Sequence, residues 1–337
     1  MSPVVRSLRL VFPAKQQVHT TLEDLPPLQA GEVLVRTQFS LMSTGTENIV
    51  FNRLFDPGTH WDKWVQYPFY PGYSAVGIVE ASESPAFKPG DRVAARAKHQ
   101  SRFVKPGDDC YPIPANLPFE QALWFALAKI AWHGARAADY KLGDSVLIIG
   151  AGPIGQMSIR WARAAGATSI LVVDAAPERM ALATAGGAST VIPLPVDQAR
   201  DAILAANGNR LPRVVIDTTG NAEVFTAALG LADQYGKVVI LGDTGRPASQ
   251  TLSSDVITRG ISIVGVHDGH NTAEWNGASI SRVFFALASS GRFPLEGLNT
   301  HHFQPEDCAK AYETANRERT RTMGIVFDWS KDCEVAL

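Results

Sequence analysis

The chain has 337 residues, 45% of them hydrophobic and 19% charged, with a formal net charge of −2. That length holds a large core and two domains, and so small a charge gives no electrostatic reason to expect nucleic acid or an anionic membrane as partner. No apolar run reaches membrane-span length; a polar N-terminus broken by Pro13 does not read as a signal peptide. Three scattered cysteines (Cys110, Cys308, Cys333) suit a reducing cytoplasm better than a disulfide framework.

In chain order, short strands are expected over residues 8–12, 32–39, 77–80 and 92–95, separated by Pro26-Pro27, Pro57-Gly58, Pro71-Gly72 and Pro89-Gly90. This predicts a small β-rich domain, a partly open barrel being one form it can take. Residues 51–73 read as a long loop rich in aromatics: Phe51, Phe55, Trp61, Trp64, Tyr67, Phe69, Tyr70 and Tyr73. Such a loop either covers a satellite hydrophobic cluster or forms a lid that stacks on a flat substrate. From 119 to 140 the pattern turns helical.

The stretch from Asp144 to Asp174 organises the rest. The apolar run 146–149 is too short for a helix and reads as a buried parallel strand. It leads into Gly150-Ala-Gly152-Pro153-Ile154-Gly155, with the G-x-G-x-x-G spacing. The first glycine allows a tight turn, the second lets backbone approach a pyrophosphate, and the third lets the helix pack on the sheet. The helix that follows carries Met157, Ser158, Trp161 and Ala164 on one face, Gly166 stops it, and its N-terminus offers amides and a positive dipole end to a diphosphate. A second apolar run, 170–173, ends in Asp174, suited to a ribose diol and hostile to a 2′-phosphate. Positions 175–177 are Ala, Ala and Pro, so NAD is favoured over NADP. Strand, triplet, helix, strand and terminal acid in that order make a strong dinucleotide signal.

Strands over 214–216, 237–241 and 261–266 are each followed by a glycine-containing turn, where ligands sit in open α/β sheets. Thr218, Gly242 and His267 in these turns, with Arg179, join Gly150, Gly152, Pro153, Ile154, Gly155 and Asp174 as expected cofactor-binding residues. The tail predicts a helix over 280–289, a strand over 300–303, a helix over 305–316 and a strand over 324–328, returning to the first domain.

This order of β domain, nucleotide fold and mixed tail resembles the medium-chain dehydrogenase/reductase superfamily from end to end. Pro89-Gly90-Asp91-Arg92-Val93, Gly72-Tyr73-Ser74-Ala75-Val76-Gly77 and the closing Gly324-Ile-Val-Phe carry the resemblance further. It implies an α/β fold: a GroES-like β-rich catalytic domain (1–121, with 268–337 returning to it) and a doubly wound Rossmann domain (122–267). It also implies NAD(P)-dependent hydride transfer at a cleft between them, and a homodimer pairing through 261–266. At the positions where zinc-dependent members keep their metal ligands stand Thr44, Tyr73 and Ala126, none a good zinc ligand. Only Cys110 stands in the region of the four-cysteine structural zinc loop, so no zinc is expected. Ser43-Thr44-Gly45-Thr46-Glu47 and Tyr67-Pro-Phe-Tyr-Pro71-Gly72-Tyr73 resemble a zinc-free branch that includes the dehydrogenase acting on the hydroxyethyl group of bacteriochlorophyllide. Ser74 stands where that branch has an acid.

Without a metal, hydride transfer to or from a carbonyl needs another proton carrier. Tyr73 and Lys129 are the candidate pair, since a nearby lysine lowers a phenol's pKa, with Thr44 and Thr46 as hydroxyl partners and Glu47 as relay. The plainer alternatives are an aromatic filling the void left by zinc and a helix-surface lysine. His267-x-x-His270 reads as cleft-lining more than metal-binding; His99, His133, His301 and His302 read as structural. Three activities remain open: an NAD-dependent dehydrogenase of a secondary alcohol on a ring-type substrate such as a sugar or cyclitol, an enone or quinone reductase, and a non-catalytic NADH sensor.

Overall fold

The structure, a computed structural model, describes residues 4–331. The first part of the chain runs β1 (Arg6–Val11), β2 (His19–Asp24), β3 (Glu32–Met42), α1 (Thr44–Asn52), α2 (His60–Trp64), β4 (Ala75–Ser82), β5 (Arg92–Ala95), β6 (Arg102–Pro106) and β7 (Cys110–Pro112). Two linking helices follow, α3 (Phe119–Ala122) and α4 (Phe125–Ala138). The nucleotide fold comprises β8 (Ser145–Ile149), α5 (Pro153–Ala164), β9 (Ser169–Val173), α6 (Met180–Gly186), β10 (Thr190–Ile192), α7 (Arg200–Ala206), β11 (Val214–Asp217), α8 (Ala222–Leu231), β12 (Lys237–Ile240), α9 (Asp255–Thr258) and β13 (Ser262–Gly265). The tail is α10 (Gly277–Ser289), β14 (Asn299–Phe303), α11 (Cys308–Arg317) and β15 (Gly324–Asp328).

Six parallel strands form one sheet in the order β10-β9-β8-β11-β12-β13. Its central strands are apolar on both faces because helices cover both: Leu147, Ile149 and Leu171 meet α7 and α8 on one side, while Val146, Ile148 and Ile170 meet Ile159 and Ala162 of α5 on the other. The order reverses between β8 and β11, which places the loops after these two strands side by side, where open α/β sheets bind ligands. β13 is an edge strand. The second sheet is mostly antiparallel, ordered β14-β15-β3-β4-β5-β7 with β6 also on β3. β15 pairs with β3 from Ile325↔Met42 to Asp328↔Phe39, so the tail adds strands to this second sheet.

Residues 51–73 are less of a loop than expected. They carry the end of α1 and all of α2. Thr-Gly-Thr-Glu-Asn is a weak helix former, and α1 exists because it buries Glu47, Val50 and Phe51. Both readings of the aromatics have substance: Phe51, Trp61 and Phe69 pack with Phe12, Tyr312 and Phe327, whereas Trp64 is 47% exposed. Four strands have no counterpart in the expected set: β2, β6, β7 and β10, which are polar or only a few residues long. The helix expected over 305–316 begins as a 3-10 turn, Pro305–Asp307, before α11. Cys110 and Cys308 are buried free thiols, and Cys333 lies outside the described residues. Among the described residues no helix is long and apolar enough to cross a membrane.

Trp124 joins the linking helices to the tail. It is fully buried, its Nε1 donates to Asn299 Oδ1 at 2.8 Å, and its ring edge lies against Gly324. Trp124→Ala is expected to cost about 3–5 kcal/mol, read as a lowered urea midpoint; an unchanged midpoint would contradict this packing role.

Candidate active site

The nucleotide end is built around Gly150, whose φ of +93° lies in the left-handed region that favours glycine. A Cβ at Gly150 would come within 2.7 Å of Thr218 Oγ1, and one at Gly155 would collide with the Gly150 carbonyl oxygen. These two glycines therefore serve the fold. Gly152 is different. Its φ of −69° suits any residue, and an added Cβ would meet only Arg179 Nη1, 3.7 Å away. What Gly152 keeps open is space, at the start of a helix whose first residue, Pro153, has no N–H to leave unpaired. A diphosphate fits that space and that helix end.

Asp174 extends the site. Its Oδ1 accepts from Ala176 N at 2.8 Å, and its Oδ2 accepts from Ala151 N at 2.7 Å and Arg179 Nη1 at 3.1 Å. A carboxylate has about four acceptor sites, so capacity remains for a ribose. Arg179 Nη2 also donates to the Arg319 carbonyl, joining this end to the tail. One cleft of about 910 Å³ is lined by all ten expected cofactor residues, Gly150, Gly152, Pro153, Ile154, Gly155, Asp174, Arg179, Thr218, Gly242 and His267. His267 Nδ1 accepts from Gly269 N at 3.1 Å and His270 Nδ1 from His267 N at 3.3 Å, so these ring nitrogens shape their own turn.

The same cleft is lined by Thr44, Thr46, Glu47 and Tyr73. The Tyr73 hydroxyl hydrogen-bonds Ser43 Oγ and also has Thr46 beside it. Burial raises its pKa above 10.0, opposed by the Ser43 hydrogen bond, the Arg96 guanidinium and Thr46. Arg96 lies over the Tyr73 ring, 4.6 Å from its centroid.

Two expectations are corrected. Lys129 is not the cation beside Tyr73. It is 5% exposed, and its Nζ donates to the Asp268 carbonyl at 2.6 Å and to Asp268 Oδ1 at 2.9 Å. The other oxygen, Oδ2, binds Arg96 Nη2 at 2.9 Å, so Lys129 reaches Tyr73 only through Asp268 and Arg96. Because burial dominates, the phenol pKa rises where a falling one was expected. Glu47, expected as a relay, is tied into a buried cluster: Oε1 accepts from Ser43 N at 2.8 Å, Oε2 binds the Tyr312 hydroxyl, and His99 Nε2 stands 3.2 Å away. Ser43, Arg96 and Asp268 carried no expectation. The signal for Arg96 was present, a charged residue just past the C-terminal end of a strand.

The three positions where the resemblance places zinc ligands do not offer a zinc-binding set. Thr44 and a protonated Tyr73 offer only hydroxyls, and Ala126 is a buried methyl. Among the described residues no group of three or more His, Cys, Asp or Glu is placed to hold a metal ion.

Residues 153–284 match the family described as zinc-binding dehydrogenase, a stretch that leaves out Thr44, Tyr73 and Ala126. L-threonine 3-dehydrogenase of Anaeromyxobacter sp. (strain K) is 28% identical, the match covering 91% of this chain and 94% of that protein. Human sorbitol dehydrogenase is 27% identical over 74% of this chain and 77% of its own length. Among solved structures, an Escherichia coli oxidoreductase/dehydrogenase of unknown specificity superposes with a TM-score of 0.83 at 23% identity, covering 96% of this chain and 99% of its own. A 2R,3R-butanediol dehydrogenase of Bacillus subtilis gives 0.80 at 19%, with the same coverage.

The glycines separate ligand space from fold. Gly152→Ala is expected to leave the melting temperature unchanged but weaken NADH binding roughly tenfold or more, while Gly155→Ala costs about 3 kcal/mol of stability. Calorimetric titration and thermal melting check both; NADH binding unchanged in Gly152→Ala would contradict the assignment.

Proposed function

We propose that this chain, similar to medium-chain dehydrogenases acting on CH–OH donors, carries out zinc-independent, NAD-linked interconversion of a secondary alcohol and its ketone on a ring-type substrate such as a sugar or cyclitol. The observation that carries this reading is the Tyr73–Ser43 hydroxyl pair, in a cleft shared with the glycine-rich loop and at a position where relatives of the zinc type need a ligand. NADH, when bound, supplies the hydride. Asp174 supports NAD over NADP, since a second negative group at the ribose would face its carboxylate. Trp61, Trp64 and Phe69 line the cleft and offer apolar faces to a ring.

Tyr73 carries the proton. A phenol whose pKa is raised stays protonated at neutral pH, so it suits donation to a carbonyl oxygen as that oxygen gains charge. The site is therefore set for ketone reduction at neutral pH. Ser43 orients the hydroxyl, and Glu47 fixes Ser43 through its backbone N–H. Lys129 and Asp268 are positioning residues that hold Arg96 against the Tyr73 ring. The protein acts as a cytoplasmic homodimer joined through the β13 edge, whose outer residues are partly open.

Tyr73→Phe is expected to lower kcat by about 10²–10⁴-fold with NADH affinity unchanged. Alcohol oxidation, which needs the deprotonated phenol, is expected to rise with pH up to and beyond 10 in the wild type and to lose that rise in Tyr73→Phe. An unchanged kcat in Tyr73→Phe would overturn the assignment.

A further inference from the structure

The substrate half of the cleft holds more positive charge than it neutralises. Arg96, Lys98 and Lys105 line it, against the carboxylates of Glu47 and Asp268. Behind the wall Lys129 also leans on Asp268. Four lysine and arginine cations thus stand against two carboxylates. Both carboxylates are committed: Glu47 to Ser43 N, His99 and Tyr312, and Asp268 to Arg96 and Lys129.

Lys98 and Lys105 have no carboxylate partner among the described residues. The Lys98 ammonium lies over the face of Phe69, 5.5 Å from its centroid. Its pKa is lowered by desolvation, an effect the Glu47 charge opposes and the Arg96 and Lys105 charges reinforce. Arg96 adds a second deficit, because its Nη1 is buried with no acceptor among the described residues. Like charges crowded into a partly desolvated cavity repel one another until an anion joins them. The cofactor's diphosphate does not fill this role, since the amides for it stand at the start of α5, on the other sheet.

We propose that the substrate is an anionic alcohol or ketone, whose carboxylate or phosphate is held by Lys98 with Arg96 and Lys105 beside it, while its hydroxyl or carbonyl carbon faces Tyr73. This rests on the dehydrogenase reading above and narrows its substrate class. Lys98 is then a specificity-determining residue: a point charge on a flexible stem, suited to an oxyanion of either kind.

The test uses three probes with one carbon skeleton, D-sorbitol, D-gluconate and D-sorbitol 6-phosphate, against the NADH- and NAD-loaded wild type, Lys98→Ala and Lys98→Glu. Calorimetric titration reads binding without turnover, and absorbance at the nicotinamide band reads hydride transfer. In the wild type at least one anionic probe is expected to bind roughly tenfold or more tighter than sorbitol. That ratio should collapse in Lys98→Ala, reverse in Lys98→Glu, and shrink as salt is added. Gluconate ahead of the phosphate identifies a carboxylate, and the reverse order a phosphate. Unliganded variants that melt with the wild type show that folding is not the cause. Equal binding of all three probes, binding of sorbitol alone, no anionic probe bound at millimolar concentration, or an unchanged ratio in Lys98→Glu would overturn the proposal. Anion binding dependent on Lys98 with no hydride transfer to any alcohol or ketone would instead sink the dehydrogenase reading and leave the anion site standing.

Discussion

The site hangs on one carboxylate, that of Asp268, which Lys129 and Arg96 share from opposite sides. Lys129 sits on α4, Arg96 follows β5, and Asp268 follows β13, so three distant stretches of chain meet at a single side chain. Removing any one member would leave a buried or half-buried charge uncompensated, which is far more costly than losing a surface pair. The shared acid holds a guanidinium over Tyr73 where a free arginine would swing into solvent. A positive charge over the ring tempers the rise that burial imposes on the phenol without reversing it.

Around that pivot the cleft has two ends of different chemistry. At the nucleotide end backbone geometry does most of the work: a left-handed glycine, a helix beginning at proline, and an open face at Gly152. At the substrate end side-chain charge and hydroxyls do it, with Tyr73, Ser43 and Thr46 grouped above the buried Glu47–His99–Tyr312 cluster. α2 reaches between the two ends: His60 Nε2 lies 2.9 Å from Asp243 Oδ2, and Asp56 N donates to the Gly245 carbonyl at 2.9 Å. The aromatic segment is thereby both core and cleft wall.

The parts legible in the sequence are those with local rules. The strand over 92–95 and the last strand, 324–328, have the bounds expected of them, and the buried runs beside Gly150 differ by one residue, because apolar runs between glycines leave few alternatives. All ten expected cofactor residues line one cleft, five of them from the 150–155 loop and the others from the ends of neighbouring parallel strands and the turns after them. What stayed hidden depends on tertiary contact. α1 is built from poor helix formers and is held by what it buries. β10 and β7 are too short to show a period. The Lys129–Asp268–Arg96 chain joins residues far apart in sequence, so spacing alone suggested a Tyr73–Lys129 contact that the fold spans with two intervening side chains.

A match of residues 153–284 to a family described as zinc-binding and the hydroxyls of Thr44 and Tyr73 at two of the positions expected for metal ligands pull in opposite directions, and the matched stretch leaves those positions out. Hydroxyl chemistry at Tyr73 standing in for a metal is tested most directly by NADH-dependent ketone reduction before and after exhaustive dialysis against 1,10-phenanthroline, with zinc content measured on the same samples. The expected result is full activity in protein free of zinc. Activity lost on dialysis and restored by stoichiometric Zn²⁺ would contradict it.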